Sequence, residues 1–432
     1  MMSCDVLGAS NMLLILGLDI HRQAAKIGNK MISLSRLLCG FSTQGDALRY
    51  GGGSGDLPLS FQRASEDKRP IVVWNCTRAC NLRCVHCYAG ADDDKAQGGE
   101  LTTDEAKSFL QDLADFNVPV VLFSGGEPLV RKDLFELAHY VKELGMRPVI
   151  STNGTLITEE KADKIQAVSF AEIGISIDGV RETHDRLRAK EGAFDAALEG
   201  IRRCVVRGQR VSLRFTINRH NYQDVPAIID LVEREKIDRV CFYHLAYAGR
   251  GSTMVQEDLD HDKTRATVEL ICQRTIDFHE RGLRKEILMV GNHADGIYAY
   301  LKAKHEGMES AEEALNLLRI NGGNNSGVRI ASVDNLGEVH ADQFWWHYSF
   351  GNVRDRKFGD IWLDTSDPLM RGLKDRKGLL KGRCGKCQFL DLCNGNLRIR
   401  AEAVYGDVWA EDPACYLTDD EIGLNGNSER SG

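Results

Sequence analysis

The stretch from Cys76 to Tyr88 reads Cys-Thr-Arg-Ala-Cys-Asn-Leu-Arg-Cys-Val-His-Cys-Tyr. It sets Cys80, Cys84 and Cys87 in a C-x3-C-x2-C pattern. Thiolates this close are soft ligands, suited to an iron–sulfur cluster or to zinc. Three ligands leave one coordination position open, which a cluster can keep for a substrate or cofactor. A closed zinc site would instead recruit Cys76 or His86 as a fourth ligand. A second group, Cys384-x2-Cys387-x5-Cys393 followed after 21 intervening residues by Cys415, has four thiols. Four make a closed shell, which suits structure or electron transfer. Spacing alone leaves zinc and iron–sulfur open there too.

Short polar motifs lie between the two groups. Ser124-Gly125-Gly126-Glu127-Pro128 joins two glycines, which allow close backbone approach, to a carboxylate able to accept from an ammonium group. Ser151-Thr152-Asn153-Gly154 and Ser176-Ile177-Asp178-Gly179 carry small polar side chains that suit ribose hydroxyls. His184-Asp185-x-x-Arg188 follows, and Arg188 or Arg214 can pair with a carboxylate. Singly, each is a common turn or surface pair. Their weight comes from their order.

That order matches the elements that must position them. Short apolar or β-branched runs occur at 71–75, 119–124, 147–152, 172–178, 211–217 and 239–244. Stretches of helical period lie at 103–116, 132–144, 158–166, 193–207, 225–235 and 261–281, and Thr103, Asp104 and Glu105 suit the start of the first. Six β-α units in a row predict a parallel sheet with right-handed crossovers, as a barrel or an open doubly wound sheet. In either, ligands sit at the C-terminal ends of the strands, where every motif above falls. From about 291 the alternation fades into a Gly-, Asn- and aromatic-rich segment and a Cys-rich tail.

The chain has 432 residues, 43% hydrophobic and 27% charged, with net charge −8. No large basic block is present, so nucleic acid is not the expected partner. Cys4, Cys39, Cys76, Cys204, Cys241 and Cys272 are scattered and read as packing residues. Grouped thiols without a secretory signal point to a reducing cytoplasm. The apolar patch from Met12 to Leu18 has no basic leader before it and is far shorter than the roughly 20 residues a membrane span needs. Met31-Ile-Ser-Leu-Ser-Arg has the look of a natural start, so residues 1–30 read as an extension or an overcalled start. The expected domains are 31–68 as an N-terminal segment, 69–290 as the barrel, 291–378 as a connecting, substrate-side segment, 379–424 as a cluster module and 425–432 as a tail.

C-x3-C-x2-C followed by the aromatic Tyr88, with the GGEP segment 125–128 and the polar strand ends behind it, resembles the radical S-adenosylmethionine (SAM, AdoMet) superfamily. The resemblance implies a partial (β/α)6 TIM-like barrel. It implies a [4Fe–4S] cluster on Cys80, Cys84 and Cys87 whose open iron is chelated by AdoMet. Tyr88, Gly125, Gly126, Glu127, Ser151, Asn153, Ser176, Asp178, Arg188 and Arg214 are then the expected AdoMet contacts, with Glu127 on its amino group. The tail resembles the shortened auxiliary-cluster (SPASM/twitch-like) module, which implies a second [4Fe–4S] cluster on Cys384, Cys387, Cys393 and Cys415. Oxygen sensitivity and a small redox protein as electron donor follow as expectations.

Residues 46–51 (DALRYG), 243–252 (YHLAYAGRGS), 292–296 (NHADG), 325–327 (NSG), 339–345 (VHADQFW), 350–354 (FGNVR) and 409–416 (WAEDPACY) are similar to the haem-biosynthesis branch of that superfamily. This similarity implies an iron tetrapyrrole substrate and the removal of two acetate side chains from didecarboxysiroheme, giving Fe-coproporphyrin III. Residues 333–338 (VDNLGE) and the doubled Trp345-Trp346 look more like the haem d1 enzyme, which acts on propionate. Peptide modification is the third alternative, since similar tails occur in peptide maturases. A flat iron macrocycle bearing carboxylates needs an apolar slot, cationic anchors and an axial ligand. Trp345, Trp346, Tyr243 and Tyr247 are candidates for the slot, Arg250, Arg329 and Arg354 for the anchors, and His244, His340 and His347 for the iron.

Overall fold

Alternating side chains build seven parallel strands, β2 (Ile71–Thr77), β3 (Val120–Gly125), β4 (Arg147–Thr152), β5 (Glu172–Ser176), β6 (Val211–Ile217), β7 (Arg239–His244) and β8 (Glu286–Val290). These come from a computed structural model that describes residues 31–43, 45–50, 69–91 and 98–425. The expected extension 1–30 with its Met12–Leu18 patch, the glycine run 51–55 and most of the tail lie outside the described residues. Three further strands join the sheet. They are β1 (Met31–Ser33), antiparallel to β8, β9 (Ile330–Val333), parallel to β2, and β10 (Val339–His340), antiparallel to β9.

Strand order across the sheet is β1-β8-β7-β6-β5-β4-β3-β2-β9-β10. From β2 to β8 each strand lies beside its neighbour in sequence. A doubly wound sheet reverses direction at a switch point. This one does not, so its β-α units advance one way, as in a barrel. Val73, Leu122, Val149, Arg214, Tyr243, Val290 and Ile330, from strands spanning β2 to β9, line one lumen of about 1030 Å³. The sheet is therefore a partial barrel, wrapped around its own interior.

The alternation is sharper than an apolar run suggests. Outward side chains such as Val72, Trp74, Ile150, Ile175, Phe215 and Phe242 are buried in the main core beneath the helices. Lumen-facing positions include Ser124, Ser151, Ser176, Arg214 and Tyr243. The helix Thr103–Asp115 is capped by Thr102, one residue earlier than expected. Thr102 and Glu105 form a reciprocal capping box. All six expected strands are present. The short β1, β9 and β10 and the five-residue β8 are additions, and helices Ala294–His305 and Ala311–Asn321 lie where alternation was expected to fade. β9 and β10 come from the segment read as a connector, and they extend the sheet beyond 290.

The lumen floor is charged. Glu286, 1% exposed at the start of β8, accepts from Arg49, from Arg239 Nε at 2.5 Å and from Arg210 Nη2 at 2.8 Å. Glu172 pairs with Arg239 as well. Burial opposes the charge on Glu286, but Arg49 and Arg239 outweigh it and hold its carboxyl at about 2, against an ordinary 4.5. A carboxyl depressed in the fold stabilises fully above its unfolded value, and that contribution fades as pH falls through the folded one. Thermal melts should therefore lose stability as pH drops from 4.5 toward 2. Glu286→Gln should remove that share of the acid sensitivity and cost about 3 to 5 kcal/mol near neutrality, since it breaks a buried ion pair. An acid profile identical to the parent's would contradict this account.

Candidate active site

β2 ends at Thr77, and the cysteine loop leaves it across the C-terminal mouth of the barrel. Glu100 holds the exit, accepting from Thr77 Oγ1 at 3.0 Å and Arg78 N at 2.9 Å. Arg250 clamps the loop from the far side, donating to Cys84 O and Ala91 O at 2.8 Å each. The loop also rests on the end of β3. Gly126 N donates to Thr77 O at 2.7 Å and Glu127 N to Ala79 O at 2.8 Å. A Cβ on Gly125, whose φ is 119°, would meet Thr77 O at 2.4 Å, and one on Gly126 would meet Ala79 O at 2.1 Å. Both are backbone atoms with no room to give, so the paired glycines are what let the two segments touch.

Above the strand ends is a cavity of about 1150 Å³. Cys80, Cys84, Cys87, Tyr88, Gly125, Gly126, Ser151, Asn153, Ser176, Arg188 and Arg214 all line it. Arg188 Nη1 lies 3.4 Å from Cys84 Sγ, which places a cation beside the thiols. Burial pushes the Cys80 thiol up to about 12, so metal ligation must displace its proton. Cys76, one possible fourth ligand, does not line the cavity, and its thiol donates to Ser124 O at 3.4 Å in the core. His86, the other, has Nε2 3.0 Å from Asp178 Oδ2. Among the described residues, no three His, Cys, Asp or Glu side chains converge on a point that would hold a single ion. The three thiols share the wall of one larger space, and soft thiolates without a fourth protein thiol beside them suit an iron–sulfur cluster.

Two expected AdoMet contacts are turned elsewhere. Glu127 is fully buried and accepts from Leu129 N at 3.0 Å, Thr152 Oγ1 at 2.7 Å and Asn153 N at 2.8 Å. It ties the end of β3 to the end of β4, and burial pushes its carboxyl up. Asp178 is also fully buried. It pairs with Arg188 and His86 and accepts from Thr216 N at 2.7 Å. Burial opposes its charge, but Arg188 and His86 hold it well below the usual carboxylate range. Neither lines the cavity, so both act as supports behind its wall.

The substrate candidates divide sharply. Tyr243 and His244 line the cavity. Trp345 does not, because it is buried in a satellite core with Leu397 and Ile399. Trp346 lies under Arg78, 5.5 Å from its guanidinium. Tyr247 donates to Asp258 at 2.8 Å outside the cavity. Arg250 is spent on the cysteine loop, and Arg354 bonds Glu105 at 2.7 Å on the surface. Arg329 is away from the cavity, and burial lowers it to about 10. His340 Nδ1 is held by Tyr348 O at 2.8 Å and His347 Nε2 by Glu402 at 3.0 Å.

Sequence reasoning missed Gln343 and Phe344, which enter the cavity from the loop after β10. Phe344 meets Tyr88 edge-on at 5.5 Å. Their presence inside VHADQFW was the available signal. These two residues, with Arg214 and Tyr243, line both the cavity and the lumen below it, so the two spaces share a wall. Arg214 crosses the lumen over Gly174, where an added Cβ would lie 2.1 Å from its Nε. That nitrogen is buried without a hydrogen-bond partner.

Cys384, Cys387, Cys393 and Cys415 line a separate cavity of about 460 Å³. Burial pushes the Cys415 thiol up to about 12. Four thiols around one enclosed space fit a closed cluster. Arg400 fastens this module to the barrel. It pairs with Asp412 at 2.7 Å and donates to Gly291 O at 2.8 Å and Leu245 O at 3.2 Å, just past β8 and β7.

Gly126→Ala provides a direct check on the loop seating. Its Cβ must lift the cysteine loop off β3, so iron bound per chain after anaerobic reconstitution should fall by more than half while the far-ultraviolet circular dichroism is unchanged. Full iron loading would show that the contact is dispensable.

The pattern of the Radical SAM superfamily matches residues 74–232. Fe-coproporphyrin III synthase of Methanosarcina barkeri is 57% identical over 396 residues, covering 91% of this chain and 99% of that protein. Pre-heme d1 synthase of Dinoroseobacter shibae is 43% identical, covering 84% of this chain and 90% of that protein. Among solved structures, SuiB of Streptococcus suis bound to S-adenosylmethionine superposes with a TM-score of 0.64 at 18% identity, over 83% of this chain and 80% of that one. That likeness is one of fold.

Proposed function

The chain belongs to the radical SAM superfamily, and from that premise we propose that it is an enzyme of haem biosynthesis that removes two acetate side chains from didecarboxysiroheme to give Fe-coproporphyrin III. The observation that carries this reading is the near end-to-end match to the Methanosarcina barkeri synthase. Each acetate becomes a methyl group, so R–CH2–COO⁻ and one proton yield R–CH3 and CO2.

Membership of the superfamily implies a [4Fe–4S] cluster and AdoMet. When bound, these supply reductive cleavage of the sulfonium and a 5′-deoxyadenosyl radical. In this chain Cys80, Cys84 and Cys87 would hold the cluster. Arg188, anchored behind by Asp178, would pair with the AdoMet carboxylate. Ser151, Asn153 and Ser176 would meet the ribose, and Tyr88 and Phe344 the apolar side, since all of them line the cavity. Cys384, Cys387, Cys393 and Cys415 would hold a second [4Fe–4S] cluster, suited as a closed shell to electron relay, substrate docking or stabilisation of the module, and a small redox protein would be the electron donor. Among the described residues, no helix is long and apolar enough to cross a membrane. We place the reaction in the cytoplasm, under anaerobic conditions.

The lumen supports a polycarboxylate substrate. Arg49, Arg147, Arg210, Arg214 and Arg239 line it against Glu172. Glu286 and Asp46 lie behind them, so the arginines still predominate. Arg214 is the one shared with the upper cavity and is our candidate for a substrate carboxylate. Propionate replacement, which the resemblance to the haem d1 enzyme implied, is the second reading, favoured by the 43% identity to the pre-heme d1 synthase of Dinoroseobacter shibae. Peptide modification is the third reading, with weaker sequence likeness behind it, 30% identity to a mycofactocin maturase of Mycobacterium tuberculosis over 75% of this chain.

The reconstituted protein should be incubated anaerobically with dithionite, AdoMet and didecarboxysiroheme, and the tetrapyrrole read by mass spectrometry. Two successive losses of CO2 with methyl products are expected. Propionate loss would move the chain to the second reading, and 5′-deoxyadenosine beside an unchanged tetrapyrrole would discard the substrate. Cys80→Ala should abolish reductant-dependent AdoMet cleavage. Arg214→Met should weaken tetrapyrrole binding about tenfold or more, the scale of one charged hydrogen bond. AdoMet affinity should not move, and a shift in AdoMet affinity instead would reassign Arg214 to the cofactor.

A further inference from the structure

β7 ends on His244, which lines the main cavity beside Leu245 and Ala246 and also a second cavity with Tyr247 and Asp258. Its Nε2 lies 2.9 Å from Asp295 Oδ2. Asp295 is fully buried in the first turn of helix Ala294–His305, and its other oxygen accepts from Tyr416 Oη at 2.9 Å. A carboxylate can only accept, so the hydrogen-bond network assigns the imidazole proton to Nε2 and leaves a lone pair on Nδ1. Among the described residues Nδ1 has no hydrogen-bond partner.

A neutral imidazole backed by a buried carboxylate, with its other nitrogen open to a cavity, is the arrangement of a metal-ligating histidine. Rival histidines fall short of it. His340 and His347 lie outside the cavity. His86 lines the cavity and also meets a carboxylate, Asp178, but its Nδ1 is sealed in the protein interior. His244 Nδ1 is not among the sealed atoms.

We propose that His244 Nδ1 is the axial ligand to the iron of the tetrapyrrole substrate, and that Asp295 and Tyr416 are the positioning residues that hold its tautomer and ring plane. The assignment rests on the tetrapyrrole reading above and deepens it. It also gives the second thiol group a structural stake in the substrate site. Tyr416 follows Cys415 directly, so the module that carries the thiols also orients the iron ligand.

The test uses the holoenzyme with both clusters in their oxidised, diamagnetic state, so that electron paramagnetic resonance reports the porphyrin iron alone. Ferric coproporphyrin III and metal-free coproporphyrin III are titrated separately. Wild type should bind the iron form about tenfold or more tighter than the metal-free form, with a nitrogen-ligated ferric spectrum. His244→Ala should bind the two forms alike and lose that spectrum, and added imidazole should restore it. Asp295→Asn should keep the nitrogen-ligated spectrum but lower the iron preference, by less than His244→Ala does, because the ligand stays while the carboxylate behind it is lost. An unchanged spectrum and iron preference in His244→Ala overturns the assignment. So does an equal loss of both forms, which is what a merely structural histidine would give. If wild type takes up neither porphyrin, the tetrapyrrole reading itself falls, and the two failures are thereby told apart.

Discussion

One buried carboxylate holds the mouth of the barrel together. Asp178 lies just past β5 and is fully buried. Its side chain collects Arg188, His86 and the amide of Thr216, its own amide donates to His184 Nδ1 at 3.0 Å, and its carbonyl accepts from Asn221 at 3.0 Å. Through His86 it grips the cysteine loop, through Thr216 it grips β6, and through Arg188 it sets a cation beside Cys84. A charge taken out of water this completely is tolerated only because both oxygens are paired, Oδ1 with the Thr216 amide and Oδ2 with Arg188 and His86. The same constraint fixes the site. No single partner can move without leaving the others facing a buried charge, so loop, strand and guanidinium keep one geometry.

The second fastening lies at the far side of the mouth. Arg400 and Asp412 are both fully buried, and the remaining guanidinium donors go to carbonyls at the ends of β7 and β8. Asn396 extends the seam, donating to Asn292 at 2.6 Å and accepting from His293 N at 2.8 Å. Such pairs add little net stability, because desolvation offsets the attraction, but they specify one docking geometry. The Cys-rich tail is thus built into the wall of the barrel. That is why Tyr416 can reach Asp295 and why the two thiol cavities belong to one continuous piece of structure.

Much of this was legible. The short apolar or β-branched runs located six strands, because a strand covered on both faces is apolar along most of its length. The cysteine spacings stood out because thiols at such intervals have few other uses. What stayed hidden follows from range and length. β1 and β10 have three and two residues, too few to carry a period, and β9 has four. Asp178 and Glu127 sat in the right motifs, yet whether a carboxylate faces a ligand or a neighbouring loop depends on residues dozens of positions away. Arg250 looked like a free anchor because nothing local reveals that its donors go to Cys84 and Ala91 carbonyls. Gln343 and Phe344 stood inside the quoted VHADQFW segment, but their place in the cavity depends on β9 pairing with β2.

The same geometry bears on the choice between acetate and propionate. Two sequence features pulled toward the haem d1 enzyme, the segment 333–338 and the doubled Trp345-Trp346. The first forms the turn between β9 and β10. There Asp334 caps Leu336 and Glu338 amides at 2.9 Å, and Asn352 donates to Leu336 O at 3.1 Å. The second packs Trp345 into a core and Trp346 against Arg78. None of these residues lines the cavity. A substitution distinguishes substrates only through contacts that differ between them. These features lie in the scaffold rather than in the cavity wall. On the proposed reading the choice would fall to residues that line the cavity, among them Tyr243, His244, Gln343, Phe344 and Arg214. An acetate is one methylene shorter than a propionate. A rigid wall that fixes the macrocycle through its iron and one carboxylate would set which of the two carbons lies beside the radical.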